Sequence, residues 1–253
     1  MIARNFTLAD YFRRIRYTAE ARNDLATLAA MMRAQLFSVP FENLDTQSGK
    51  VVSMVPEDIV QKLVYRNRGG YCFEVNGLFA MALAALNIPY RFVAARPMLY
   101  HDRRPKTHMA IIAEVEGRQW LCDLGFGSYG IRAPIALDRI NQPVQQDDDF
   151  YQLLHGDGIF LLQARVDGNW ASQFEFDLSP QEWVDFLPAN YYSATWPGSL
   201  FVQKLVVIQH TPQGRKILLD HHYKQIDNGT ISKLEVPAAS MKQFLQSHFG
   251  LHE

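Results

Sequence analysis

The chain has 253 residues, 48% of them hydrophobic, and its 25 Lys and Arg against 26 Asp and Glu leave a net charge of −1. Such a chain can bury one large core or two to three small domains in close contact, and it is not a disordered one. It has no Lys/Arg-rich run, and its longest wholly apolar stretch runs only from Leu78 to Leu86, so neither nucleic acid nor a membrane is an expected partner.

Residues Met1 to Asn5 are followed by no apolar signal segment, which points to a cytoplasmic protein. Thr7-Leu8-Ala9-Asp10 has the form of a capping box with Asp in place of Glu, opening a first helix that carries Tyr11, Phe12 and Ile15. A second helix is expected from Asp24 to about Leu36, with Leu25, Leu28, Ala29 and Met32 at helical spacing, stopping before Val39-Pro40. A third starts at Pro56 and carries Ile59, Val60, Leu63 and Val64. A fourth follows Gly69-Gly70. It is apolar nearly all round from Leu78 to Leu86, so it should be the buried centre of a helical region ending near Asn87-Ile88-Pro89.

From Tyr90 the period changes to two, with strand-like runs at Tyr90 to Leu99, His108 to Val115, Gln119 to Leu124, Ile159 to Val166 and Gln173 to Leu178. Asp167-Gly168 and, more weakly, Glu116-Gly117 are hairpin turn signals. Gln145 to Asp149, polar and acidic, reads as a solvated loop. A further hairpin joins Lys204 to Gln209 with Lys216 to Tyr223 around Thr211 to Gly214, and a last helix runs from about Pro237 to Phe249 with Gly250 as its stop.

The most telling segment is Arg68-Gly69-Gly70-Tyr71-Cys72-Phe73-Glu74. Two glycines let the backbone turn sharply and deliver Cys72 into the first turn of the fourth helix, where free N–H groups and the macrodipole favour a thiolate. The plainer reading is a small buried hydrophobe, the usual fate of a free cysteine. A nucleophilic thiol needs a base, and the base needs an orienting group. If Glu116-Gly117 forms a two-residue turn, 115 pairs with 118 and Asp123 falls opposite Ala110. His108, two residues from Ala110, then projects from the same face as Asp123, within reach of it. An odd-length turn would separate them. Cys122 points to the other face and reads as packing; His221-His222 point to opposite faces, so they read as surface or core histidines, with no metal. The glycines of Asp123-Leu124-Gly125-Phe126-Gly127 would let a ligand approach the backbone.

Together with Val39-Pro40-Phe41-Glu42-Asn43-Leu44-Asp45 and Thr107-His108-Met109, these segments resemble the arylamine N-acetyltransferase family in order and spacing. The likeness extends more faintly through Tyr191 to Trp196 and the final hairpin. The resemblance implies an α+β fold in three parts, an N-terminal helical bundle (residues 1–88) carrying the nucleophile, a central β-barrel (89–190) carrying His and Asp, and a C-terminal α/β lid (191–253). The core would be a Cys-His-Asp triad similar to that of papain-like proteases and transglutaminases. It implies Cys72 as nucleophile, His108 as base and Asp123 as the group that holds the imidazole. The reaction implied is ping-pong: acetyl-CoA acetylates Cys72, CoA leaves, and an arylamine, arylhydrazine or N-hydroxyarylamine takes the acetyl group. By the same resemblance Phe41 and Phe126 line the arylamine pocket, Thr107 and Gly127 bring backbone close to CoA, and no metal takes part. Arg68 and Glu42 would form a structural ion pair, joined by Arg14. The protein would act as a monomer or weak homodimer.

Two departures stand out. Many members have a third glycine where this chain has Ser128, which alters the expected CoA loop, and many carry a further C-terminal segment beyond the equivalent of Glu253. A shorter C-terminus is expected to open the cleft and let water compete for the acetyl-enzyme. The same triad would also serve a cysteine amidase or hydrolase, and a merely buried thiol would suit a non-catalytic binding protein.

Overall fold

The computed structural model describes residues 1–127 and 129–252, so the Ser128 expectation lies outside the described residues. Thr7 accepts the Asp10 N–H to start α1 (Leu8–Ile15), which ends at Arg16 with a left-handed φ of 57°. α2 (Leu25–Ser38), capped by Asp24, runs two residues past the expected Leu36 before Val39 turns extended ahead of Pro40. Two short elements carry no period to read, β1 (Phe41–Glu42) and α3 (Leu44–Gln47). α4 (Pro56–Val60) continues as a π-helical turn over Gln61–Tyr65. α5 (Cys72–Ala85) is buried from Cys72 through Leu83, and Asn87, with φ 54°, turns the chain out of it. Each fully buried Leu or Phe on this helix contributes about 1.5–3 kcal/mol. The polar atoms packed among them are satisfied: Tyr11 donates to Gln35 Oε1 at 2.8 Å and Gln35 Nε2 donates to the Val75 carbonyl at 2.8 Å.

The next segment forms an eight-stranded antiparallel sheet from β2 (Tyr90–Pro97), β3 (His108–Val115), β4 (Arg118–Cys122), β5 (Ile135–Ala136), β6 (Val144–Gln146), β7 (Asp149–Gly156), β8 (Ile159–Val166) and β9 (Asn169–Phe176). Its order is β5-β4-β3-β2-β9-β8-β7-β6, and it curls into a nearly closed barrel. The seam is bridged by a side chain: Gln146 of the last strand accepts from the N–H groups of Arg132 and Ala133 and donates to the Ala133 carbonyl, just ahead of β5. The reading of 145–149 as a solvated loop is therefore wrong. Those residues form the β6–β7 hairpin, with Asp147 held by Arg33 and Arg132, and Asp149 by Arg132 and Arg215. Acidic residues that a local reading assigns to water are here claimed by distant arginines.

A 3₁₀ turn (Trp183–Phe186) leads into α6 (Leu187–Thr195) and α7 (Leu200–Gln203), followed by β10 (Val206–Thr211), β11 (Gly214–Leu219), β12 (His222–Asp227), β13 (Thr230–Glu235) and α8 (Met241–Phe249), which Gly250 ends at φ 66°. The expected strand Lys216 to Tyr223 is really two, broken at Asp220 with φ 51°. β1 pairs with β10, Phe41 opposite Ile208, so the helical segment adds an edge strand to this second sheet. The segregation of helices from antiparallel sheets makes the fold α+β. Among the described residues no helix is long and apolar enough to cross a membrane.

Candidate active site

The Gly69-Gly70 turn is required by close approach, not by positive φ. A Cβ on Gly69 would lie 2.1 Å from the Pro40 carbonyl oxygen, and one on Gly70 would lie 2.6 Å from Glu74 Oε2. The Gly70 N–H donates to Pro40 O, and the Glu42 N–H donates to Gly70 O, strapping the turn to β1. The Tyr71 N–H donates to Glu74 Oε2 at 3.1 Å, capping the helix that begins at Cys72. Behind the turn lies a buried charge cluster. Arg68 pairs with Glu42 at 2.8 Å and with Asp45 at 3.4 Å, while Lys62 pairs with Asp45 at 2.6 Å and Glu74 at 2.7 Å. Burial pushes Glu74 up to about 7 against the pull of Lys62. Arg14 joins through the backbone, donating to the Arg68 carbonyl at 3.1 Å.

The hairpin has the register that the sequence requires: Val115 pairs with Arg118 and Ile111 with Cys122, around Glu116 and Gly117 at φ 53° and 70°. His108 and Asp123 therefore share a face, with His108 Nε2 2.8 Å from Asp123 Oδ2. That bond leaves Nδ1 as the ring nitrogen for Cys72, which lines the same cavity as His108 and whose Sγ donates to the Thr107 carbonyl at 3.9 Å. Burial opposes the imidazolium, but the Asp123 carboxylate with its hydrogen bond and the neighbouring Cys72 outweigh it and push the pKa up to about 10. Cys122 lies on the other face, wholly buried, where burial pushes its thiol up.

Asn76, one helical turn beyond Cys72, escaped the sequence reading. Its amide donates to Asp123 Oδ1 at 3.1 Å and to the Met109 carbonyl at 2.7 Å, and its oxygen accepts the Leu124 N–H at 2.9 Å. The Gly125 N–H also donates to Asp123 Oδ1, so the carboxylate is fixed with Oδ2 toward the imidazole. An Asn in an apolar helix carries no mark of this partnership; only the i, i+4 spacing from Cys72 hints at it.

Cys72 and His108 open onto a cavity of about 180 Å³ walled by Phe41, Phe126, Phe201, Tyr100 and Ile208, with Thr107 at its rim. Phe126 lies edge-on to the His108 ring at 5.2 Å, and Phe174 packs against both rings. Gly127 sits outside this lining, at φ 96°, with its carbonyl accepting from His210 Nε2 at 3.1 Å. Of the two glycines expected to admit a ligand, Gly125 admits α5: a Cβ there would lie 2.4 Å from Cys72 Cα. Phe201, Tyr100 and Phe174 come from segments whose placement only tertiary packing determines.

A thiol at a helix start, an imidazole bound to a buried carboxylate, and a small aromatic-walled cavity together define an acyl-transferring class of site. A family model described as N-acetyltransferase matches residues 24–252. The arylamine N-acetyltransferase / N-hydroxyarylamine O-acetyltransferase of Salmonella typhimurium is 34% identical over 247 residues, which span 95% of this chain and 87% of that protein. The arylamine N-acetyltransferase of Escherichia coli is 34% identical over 250 residues, 96% of this chain and 88% of that one. Among solved structures, the Salmonella typhimurium enzyme superposes with a TM-score of 0.93 at 32% identity, covering 99% of this chain and 92% of that chain. The Mycobacterium marinum enzyme in complex with CoA superposes at 0.90 with 30% identity, covering 96% of this chain and 92% of that chain. The chain belongs to the arylamine N-acetyltransferase family, and it is an acyltransferase.

Proposed function

We propose that the protein transfers an acetyl group from acetyl-CoA to the nitrogen of an arylamine or arylhydrazine, or to the oxygen of an N-hydroxyarylamine, through an acetyl-Cys72 intermediate. The observation that carries this reading is the His108–Asp123 hydrogen bond beside Cys72, with Cys72 and His108 both opening onto the aromatic-walled cavity. In the first half-reaction the Cys72 thiolate attacks the thioester carbonyl, and the CoA thiolate leaves, taking the proton of the His108 imidazolium. In the second, the amine attacks the acetyl-sulfur carbonyl while neutral His108 accepts its proton at Nδ1, and the thiolate and imidazolium return. Asp123 holds the Nε2–H throughout. A void of about 180 Å³ admits one aromatic ring, and Phe41 and Phe126 offer it flat apolar walls. The helical residues 1–88 would present the nucleophile, 89–190 the base and its carboxylate, and 191–253 the lid, with Thr107 and Gly127 near the CoA chain.

Intact mass spectrometry of wild type and Cys72→Ala mixed with acetyl-CoA tests the proposal. A single acetyl gain on wild type alone, discharged by an arylamine with matching acetylated product, is the expected result. No gain on rapid quenching refutes the acyl-enzyme. A gain that decays equally fast without amine refutes transfer and leaves a hydrolase.

A further inference from the structure

A second cleft, of about 800 Å³, lies between the end of α1, the end of β10 and the end of α8, and shares no lining residue with the catalytic cavity. Its charge is unbalanced. Half-buried Arg14 donates through Nε to Leu63 O at 2.6 Å, through Nη1 to Ser38 O at 2.6 Å and through Nη2 to Arg68 O at 3.1 Å. Those carbonyls use three of its five N–H donors and neutralise none of its charge. Burial and the neighbouring Arg16 push its pKa down to about 10, as expected where positive charge is in excess. Arg16 is exposed at the left-handed end of α1, and Lys216 donates to the His248 carbonyl. Among the described residues, no carboxylate pairs with Arg14, Arg16 or Lys216, and the one acid lining the cleft, Asp10, is paired with Arg13.

The cleft wall also holds a neutral ring. His210 is 6% exposed and lines this cleft. Its Nε2–H donates to Gly127 O, and its Nδ1 has no partner. Burial, Arg215 and Arg132 push its pKa down to about 3, so the ring is neutral, and with Nδ1 sealed inside the protein it adds no charge to the cleft. Three cations that pair with no carboxylate among the described residues exceed what a single carboxylate balances, and guanidinium forks match the geometry of phosphate oxygens.

We propose that this cleft binds a phosphate-class dianion, a phosphomonoester or diphosphate, held by Arg14, Arg16 and Lys216. The phosphate belongs either to a free metabolite or to the acyl donor itself.

The test is isothermal titration calorimetry on the whole chain at low ionic strength and pH 7, with inorganic pyrophosphate as probe and sodium chloride at matched ionic strength as control. It needs no catalysis, so it stands apart from the acetyl-transfer reading. Saturable binding to wild type, weakened at least tenfold in the double variant Arg16→Glu/Lys216→Glu, is the expected result. Both positions lie away from the catalytic residues, and a circular-dichroism melt verifies that the variant is folded. Heats no different from chloride, or equal binding by a folded variant, overturn the proposal. Steady-state kinetics then separate the sources: a raised KM for acetyl-CoA at unchanged kcat assigns the phosphate to the donor, and an unchanged KM assigns it to a free metabolite.

Discussion

Asp123→Asn tests the electrostatic core of the site with almost no change in volume. In the native arrangement Asp123 Oδ1 accepts from Asn76 and Gly125, while Oδ2 faces His108 Nε2. An asparagine keeps its carbonyl toward those two donors and so turns its NH₂ toward the imidazole. His108 must then accept at Nε2 and carry its proton on Nδ1, aimed at Cys72, the wrong tautomer for a base. The carboxylate's effect is large. Raising the imidazole from 6.5 to about 10 corresponds to about 5 kcal/mol in favour of the imidazolium, achieved against burial. Without the carboxylate, burial prevails and His108 is neutral at pH 7. The expected outcome is a loss of at least ~100-fold in the rate of Cys72 alkylation by iodoacetamide at pH 6, and a comparable loss in acetylation by acetyl-CoA. The His108 ring resonances, followed by ¹H–¹⁵N NMR, should titrate below 6.5 in the variant and near 10 in wild type. The stability contribution runs the same way: a folded value above the unfolded one stabilises fully below pH 6.5 and is lost as pH rises through about 10. The wild-type advantage over Asp123→Asn should therefore shrink between pH 6.5 and 10. A variant whose His108 still titrates above 9, or whose thiol alkylates at the wild-type rate, refutes this reasoning.

Asn76→Ala strands the Leu124 N–H, the Met109 carbonyl and one Asp123 lone pair in a fully buried place, a loss of about 2–4 kcal/mol readable in the urea midpoint; an unchanged midpoint would mean the amide tie is idle. Gly125→Ala drives a Cβ to within 2.4 Å of the Cys72 backbone, so kcat/KM should drop more than ~100-fold, and near-native activity would show that α5 can retreat without harm. Glu74→Gln probes the charge cluster behind the nucleophile. Because burial holds Glu74 near 7, above its ordinary 4.5, its contribution is complete below 4.5 and is lost as pH rises through about 7; the stability difference between pH 5 and pH 8 should narrow in the variant, and an equal difference counts against the buried-acid account.

The parts of this site that a reader of the sequence could locate are those fixed by local rules. A two-residue turn at Glu116-Gly117 dictates the register of β3 and β4, and that register alone places His108 and Asp123 on one face. The glycine pair likewise marks the start of α5. What was illegible depends on residues far apart in the chain. The π turn at Gln61–Tyr65 adds a residue to an otherwise regular helix, with the Arg66 N–H reaching back to the Gln61 carbonyl. The β6–β7 hairpin looked like a charged loop because its counter-ions, Arg33 and Arg215, are dozens of positions away. Asn228-Gly229, a strong turn signal, joins β12 to β13.

The same division separates the chemistry from the selectivity. Cys72, His108, Asp123 and Asn76 come from α5 and one hairpin, and they are tied to each other by hydrogen bonds and by the tight contact at Gly125. The cavity in front of them is assembled from more distant pieces. Phe41 arrives on a two-residue strand paired with β10, Phe126 on the loop after β4, Phe201 on α7, and Tyr100 on the β2–β3 connection. Altering α7 or that connection reshapes the space offered to an aromatic ring while leaving the His108–Asp123 bond untouched. A fold built this way can change which ring the cavity accepts without disturbing the His108–Asp123 bond, because Phe201 and Tyr100 stand on segments that do not hold that pair.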